Sequence, residues 1–181
     1  MRQALLALLI VASARSAWAD ESAYRLGEDA WRTQDYAEAR RQWRLAIAEG
    51  GSLDAYDKLG YLLYYGLGGD ADPGQAVELW RRGAVLALPE SQLHLGSAFE
   101  DGVAVRSSRA LAYAWYLCAV ATAARHPKTD AIEADVRQSA ETARDRLAPK
   151  LSRADRVEGE RVAQELIAKY SAPLALEPAQ P

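Results

Sequence analysis

Residues Asp54–Trp80, DAYDKLGYLLYYGLGGDADPGQAVELW, decide the fold. The spacing predicts a first helix from about Asp54 to Tyr65. Gly66, Gly68 and Gly69 end it, because glycine readily closes helices and makes turns. Asp72-Pro73 then opens a second helix over about 74–86. Aspartate caps helix starts, and proline fits the first helical position.

The same pattern recurs on either side. Leu26-Gly27, Leu59-Gly60 and Leu95-Gly96 stand 33 and 36 residues apart. Ala39, Ala76 and Ala112 follow at intervals of 37 and 36. Four residues after each alanine comes a large aromatic (Trp43, Trp80, Tyr116), and three further on a small residue (Ala46, Gly83, Ala119). In the third copy Pro89 opens the first helix, Gly102 closes it, and Ser107 or Ser108 caps the second. The glycine and alanine columns predict close helix crossings, with the aromatics filling space toward the next copy. A helix pair of this kind cannot bury its apolar face alone; stacking of copies builds the core.

Composition points the same way. The chain has 181 residues and is 50% hydrophobic, with 37 Ala but only 13 Val plus Ile, one Phe and one Met. Alanine is the best helix former, and a sheet needs β-branched and aromatic residues on its faces. The formal charge is −3, which gives no basic excess for nucleic acid. A single cysteine excludes an intrachain disulfide framework and a cysteine-built zinc cluster.

The columns Leu59-Gly60, Gly66, Asp72-Pro73, Ala76, Trp80 and Leu95-Gly96, Phe99, Gly102, Ala112, Trp115-Tyr116, Ala119 resemble Sel-one-like repeats, the longer-looped relatives of tetratricopeptide repeats. The first copy has a loop four residues shorter, and its Asp35–Ala39 stretch looks like an ordinary tetratricopeptide repeat. The resemblance covers roughly 23–121 and implies an all-α solenoid that serves as an interaction scaffold. It implies candidate roles in envelope sensor regulation, in assembly of secretion or polysaccharide machinery, or as the immunity partner of a toxin. Some exported members carry a cysteine pair in every repeat; this protein does not, so their function is not carried over.

The expected organisation is an export signal over 1–19, a repeat array over 20–125 (copies at about 21–50, 53–88 and 89–124), capping helices over 126–170 and a disordered tail over 171–181. Arg2, the apolar run Ala4–Ala14 and Ala17-Trp18-Ala19 read as a signal peptide cut after Ala19, placing the mature chain in the periplasm or outside the cell. Removing Arg2 and Arg15 leaves 20 basic against 25 acidic residues, a net charge of −5. In the C-terminal third, one helix over about 130–147 carries Ile132, Val136, Ala140, Ala143 and Leu147 on one stripe. Pro149 ends it. Ser152 then caps a helix over 153–170, with Val157, Val162, Leu166 and Ile167 on one side. Such a closing pair gives a repeat array a polar outer face.

No residue pattern calls for a catalyst, a cofactor or a metal. His94 has only Glu90 at helical spacing as a co-ligand, and His126 precedes a proline in a loop. Cys118 has no base nearby and reads as a buried small apolar residue. Gly66–Gly69 follows no strand and is a repeat turn rather than a phosphate loop.

The expected interaction face lies on the first helix of each copy, which lines the concave side of tetratricopeptide-like arrays. Its positions are Tyr24, Glu28, Trp31 and Arg32 in the first copy, Asp57, Tyr61, Tyr64 and Tyr65 in the second, and Ser97, Glu100 and Asp101 in the third. Aromatics cluster in the first two copies and carboxylates dominate the rest. The expected ligand is another protein offering a basic segment, with no nucleic acid and no membrane-spanning helix after signal cleavage. The aromatics either stand exposed or pack between repeats. Two competing classes use the same scaffold: a hydrolase acting on cell-wall material, and a glycan-binding module.

Overall fold

A computed structural model describes residues 23–125 and 131–171, the side chains of 131–134 aside. Every regular element among them is a helix. The protein divides into two compact units, one ending at Asp72 and the other beginning at Pro73, so the division falls between the two helices of the second repeat. The export signal, His126 and nearly all of the tail lie outside the described residues.

The first unit holds α1 (23–32), α2 (Tyr36–Ala48) and α3 (Asp54–Tyr65). The Asp35 carboxylate accepts from the Glu38 backbone N–H at 3.1 Å, satisfying a donor that the start of α2 leaves open. Gly27 lets α1 and α2 approach. A Cβ there would lie 2.3 Å from Nε1 of Trp43, so the ring that meets the glycine column is the aromatic of the same repeat. Trp43 is fully buried between Ala39 and Ala46 of its own helix, which are buried too.

Past α3 the glycine-rich turn closes over the start of α2. The Gly66 N–H bonds the Leu62 carbonyl. Gly68 has φ 76°, and a Cβ on it would fall 2.3 Å from the Tyr36 carbonyl carbon, so both backbone and space demand glycine. Arg40 ties the same turn down. From a buried position on α2 its guanidinium donates to the backbone carbonyls of Leu62 at 3.0 Å and Asp70 at 2.9 Å. Burial draws its pKa below the usual guanidinium value.

The second unit holds α4 (Pro73–Val85), α5 (Pro89–Asp101), α6 (Arg109–Ala123), α7 (Ala131–Leu147), a 3-10 turn (Ala148–Lys150) and α8 (Arg153–Tyr170). Local chemistry sets the starts of α5, α6 and α8. Pro89 stands in the first turn of α5, the Ser108 hydroxyl accepts from the Leu111 N–H at 3.2 Å, and the Ser152 hydroxyl accepts from the Asp155 N–H at 3.0 Å. Gly96 repeats the role of Gly27, since a Cβ on it would lie 2.4 Å from the Tyr116 ring.

Both C-terminal helices pack on α6. Val136, Ala140 and Leu147 of α7 are buried, as their stripe predicts. On α8, Val162, Leu166 and Ile167 of the expected face are half-buried, and Val157 departs from it. Val157 is 60% exposed, and the buried positions are Gly159 and Ala163. A Cβ on Gly159 would come within 2.9 Å of the Ala110 carbonyl oxygen, so at this point α8 approaches the backbone of α6 closely. Gln92, buried on α5, donates to the Tyr170 carbonyl at 2.9 Å and holds the end of α8.

Candidate functional site

The first unit gathers its aromatics into one connected series. Trp31, in the last turn of α1, has its ring 5.2 Å from Tyr36, 6.0 Å from Trp43 and 5.8 Å from Tyr61. Tyr61 and Tyr65, one turn apart on α3, meet at 4.7 Å, and Tyr65 meets Tyr64 edge-on at 5.1 Å. Tilted and edge-to-face contacts suit the negative faces and positive rims of these rings, and each such pair is worth about 0.5–1.5 kcal/mol beyond burial. The series runs from Trp43, fully buried, through half-buried Trp31, Tyr61 and Tyr64 to Tyr65, which is 56% exposed. Packing and exposure are thus two ends of one strip.

The charged positions expected around it behave otherwise. Asp57 is only 7% exposed and is part of the interior, a correction to its expected place on an open face. Glu28 is half-buried, 3.8 Å from Lys58 Nζ on α3. Arg32 is exposed and pairs with Asp29 on its own helix. Tyr24 is half-buried on α1.

In the second unit Glu100 does not offer an open carboxylate. Arg146, from α7, donates to both of its oxygens at 2.6 and 2.7 Å. The Tyr116 hydroxyl donates to the same carboxylate at 2.9 Å and lies 3.4 Å from Ser97 Oγ. Ser97 is half-buried and its hydroxyl donates to the Leu93 carbonyl at 3.4 Å. Partial burial pushes the Glu100 carboxyl up, but the Arg146 guanidinium and Tyr116 hydroxyl outweigh it and hold it below the usual carboxylate range. Burial above all raises the Tyr116 phenol, which stays a neutral donor. Ser97 and Glu100 are therefore engaged within the fold, which corrects the acid-lined face expected in the third repeat. Asp101 alone of the three is exposed. The sequence offered no signal for this clasp, because its partners lie 46 residues apart.

The other singled-out residues have structural surroundings. His94 stacks on Trp80 with ring centres 4.8 Å apart. Cys118 is fully buried, and burial pushes its thiol up to about 12. Among the described residues no three His, Cys, Asp or Glu side chains converge as a metal site would require. No described helix is long and apolar enough to cross a membrane.

The Sel1 repeat matches the sequence at residues 53–84 and 89–121. Among solved structures, the protein is similar to a protective antigen present in uropathogenic Escherichia coli strains, whose crystal structure displays an SLR fold. The two share 24% identity, with a TM-score of 0.72, over 84% of this chain and 30% of that one. This chain spans less than a third of the antigen's length, and the likeness carries the fold, an all-α solenoid of Sel1-like repeats. No curated protein matches the sequence.

Proposed function

We propose that this protein, which carries two Sel1 repeats, is an exported adaptor or regulator that binds another protein through the aromatic strip of its first unit. Scaffolds of this kind commonly mediate protein–protein interaction. The observation that carries the reading is the strip itself: Trp31, Tyr61, Tyr64 and Tyr65 form a graded series anchored on buried Trp43 and ending at a largely exposed ring. Tyrosine and tryptophan bury much area with few rotatable bonds, so a strip already ordered by ring contacts loses little freedom on binding.

Export rests on Arg2, the apolar run Ala4–Ala14 and the Ala17-Trp18-Ala19 site. The basic character of the partner rests on the net −5 of the mature chain. Such charge speeds encounter more than it adds affinity, because Glu28 and Glu100 are already paired.

Affinity capture from periplasmic extract with the mature protein tests the reading. A partner retained by the wild type, weakened by added salt and lost with Tyr64→Ala/Tyr65→Ala supports it. Equal retention by the folded double variant, or binding only to cell-wall glycan without salt dependence, overturns it.

A further inference from the structure

The second unit has a concavity of its own, lined by two arginines in a protein whose net charge is negative. A cavity of about 560 Å³ opens between α4, α5 and the turn that leads into α6. That size lies within the range of ordinary small-ligand sites, about 300–1,000 Å³. Phe99 and Leu111, both partly buried, and Val105 give it an apolar floor. Arg81 of α4 and Arg106 of the turn stand on its walls, both exposed.

Several other arginines of this unit are paired: Arg82 with Glu78, Arg146 with Glu100, and Arg161 with Glu158 and Glu165. Neither Arg81 nor Arg106 has an acidic partner among the described residues. The first turn of α6 beside them carries no acid either. The Ser107 and Ser108 hydroxyls are used within the fold, Ser107 donating to the Glu100 carbonyl at 3.3 Å and Ser108 capping α6, so the cavity's unused polar groups are the two guanidiniums.

We infer that this cavity binds a peptide segment in which a carboxylate stands next to an apolar side chain. The guanidiniums suit a carboxylate, which each can grip with two parallel N–H donors. The floor selects the apolar neighbour, and a bare inorganic anion would leave that floor wet. The carboxylate is that of an Asp or Glu side chain within the segment. This site is separate from the aromatic strip and does not depend on it.

Titration of the isotope-labelled mature protein followed by backbone amide shifts tests the inference. The probes are acetyl-Ala-Glu-Leu-Ala-amide, its Gln counterpart, acetyl-Ala-Ala-Leu with a free C-terminus, and inorganic phosphate. Saturable shifts over 104–111 with the Glu peptide are expected, and binding of the free-acid peptide alone would overturn the inference. Binding should weaken about tenfold or more with the Gln peptide and with Arg81→Gln/Arg106→Gln, since a charge-assisted bond is lost. Arg82→Gln, which removes an arginine already paired, should leave it unchanged, and so should Tyr64→Ala/Tyr65→Ala. Absence of shifts at millimolar peptide, equal shifts with the Gln peptide, or phosphate alone binding as tightly would each overturn it.

Discussion

Trp43 and Tyr116 occupy the same repeat column, and each ring lies against the glycine of its own repeat, Gly27 or Gly96. What lies beyond each ring differs. Beyond Trp43 the contacts continue through Trp31 and Tyr61 to exposed Tyr65. Beyond Tyr116 they end in a hydroxyl that donates to Glu100, which α7 clamps through Arg146. One column thus serves an open aromatic surface in the first unit and an internal clasp in the second. The repeat dictates the ring's seat, and the residue that fills the column decides what is built outward from it.

The largest effect expected from breaking this comparison is on stability at the inner end of the strip. Trp43→Ala should cost about 3–5 kcal/mol of unfolding free energy, measured by denaturant titration, because it empties a fully buried site. A cost below about 1 kcal/mol would mean that the ring does not anchor the unit. At the outer end the effect moves to binding. Tyr64→Ala with Tyr65→Ala should lose on the order of 2 kcal/mol or more of partner affinity while changing stability far less than Trp43→Ala does.

The clasp is worth less. Tyr116→Phe keeps the buried ring and removes only the donor to a charged acceptor, so a cost of about 1–2 kcal/mol is expected. Because Arg146 is half exposed, Arg146→Gln should cost no more than that. The double variant should cost less than the sum of the two, since both residues serve one carboxylate.

The smallest effect is on pH dependence. Glu100 has a folded pKa below its unfolded value of about 4.3. Its contribution is therefore complete above that value and is lost as the pH falls through the folded one. The stability difference between wild type and Arg146→Gln should shrink on acidification below about pH 4. A difference that stays constant down to pH 2 would show that the pair does not hold the carboxylate.

These outcomes separate what local sequence encodes from what only the fold brings together. The helix limits were legible because their signals act within a few residues: Asp35, Ser108 and Ser152 cap, Pro89 starts a helix, and Gly66 and Gly102 close theirs. The glycine and alanine columns were legible through periodicity, though the ring rather than the alanine proved to meet the glycine. Contacts between distant segments were not legible. Arg40 reads as one more charge on a helix until its carbonyl partners appear 22 and 30 residues away. Glu100 reads as an exposed acid until α7 brings Arg146 to it. Val157 reads as an inward residue because branched side chains are usually buried, but it falls outside the face on which Gly159 and Ala163 are buried. Of the expected positions, Trp31, Tyr61, Tyr64 and Tyr65 lie in one series of ring contacts, whereas Asp57 is buried and Glu28 and Glu100 are taken by ion pairs.

Calorimetric titration of the captured partner into the mature protein, for wild type and for Tyr64→Ala/Tyr65→Ala with their melting curves recorded alongside, tests the central claim most directly. The account predicts specific wild-type binding and a loss of about thirtyfold or more in the double variant, on the order of 2 kcal/mol, with melting little changed. Equal affinity in a double variant that melts like the wild type would contradict it.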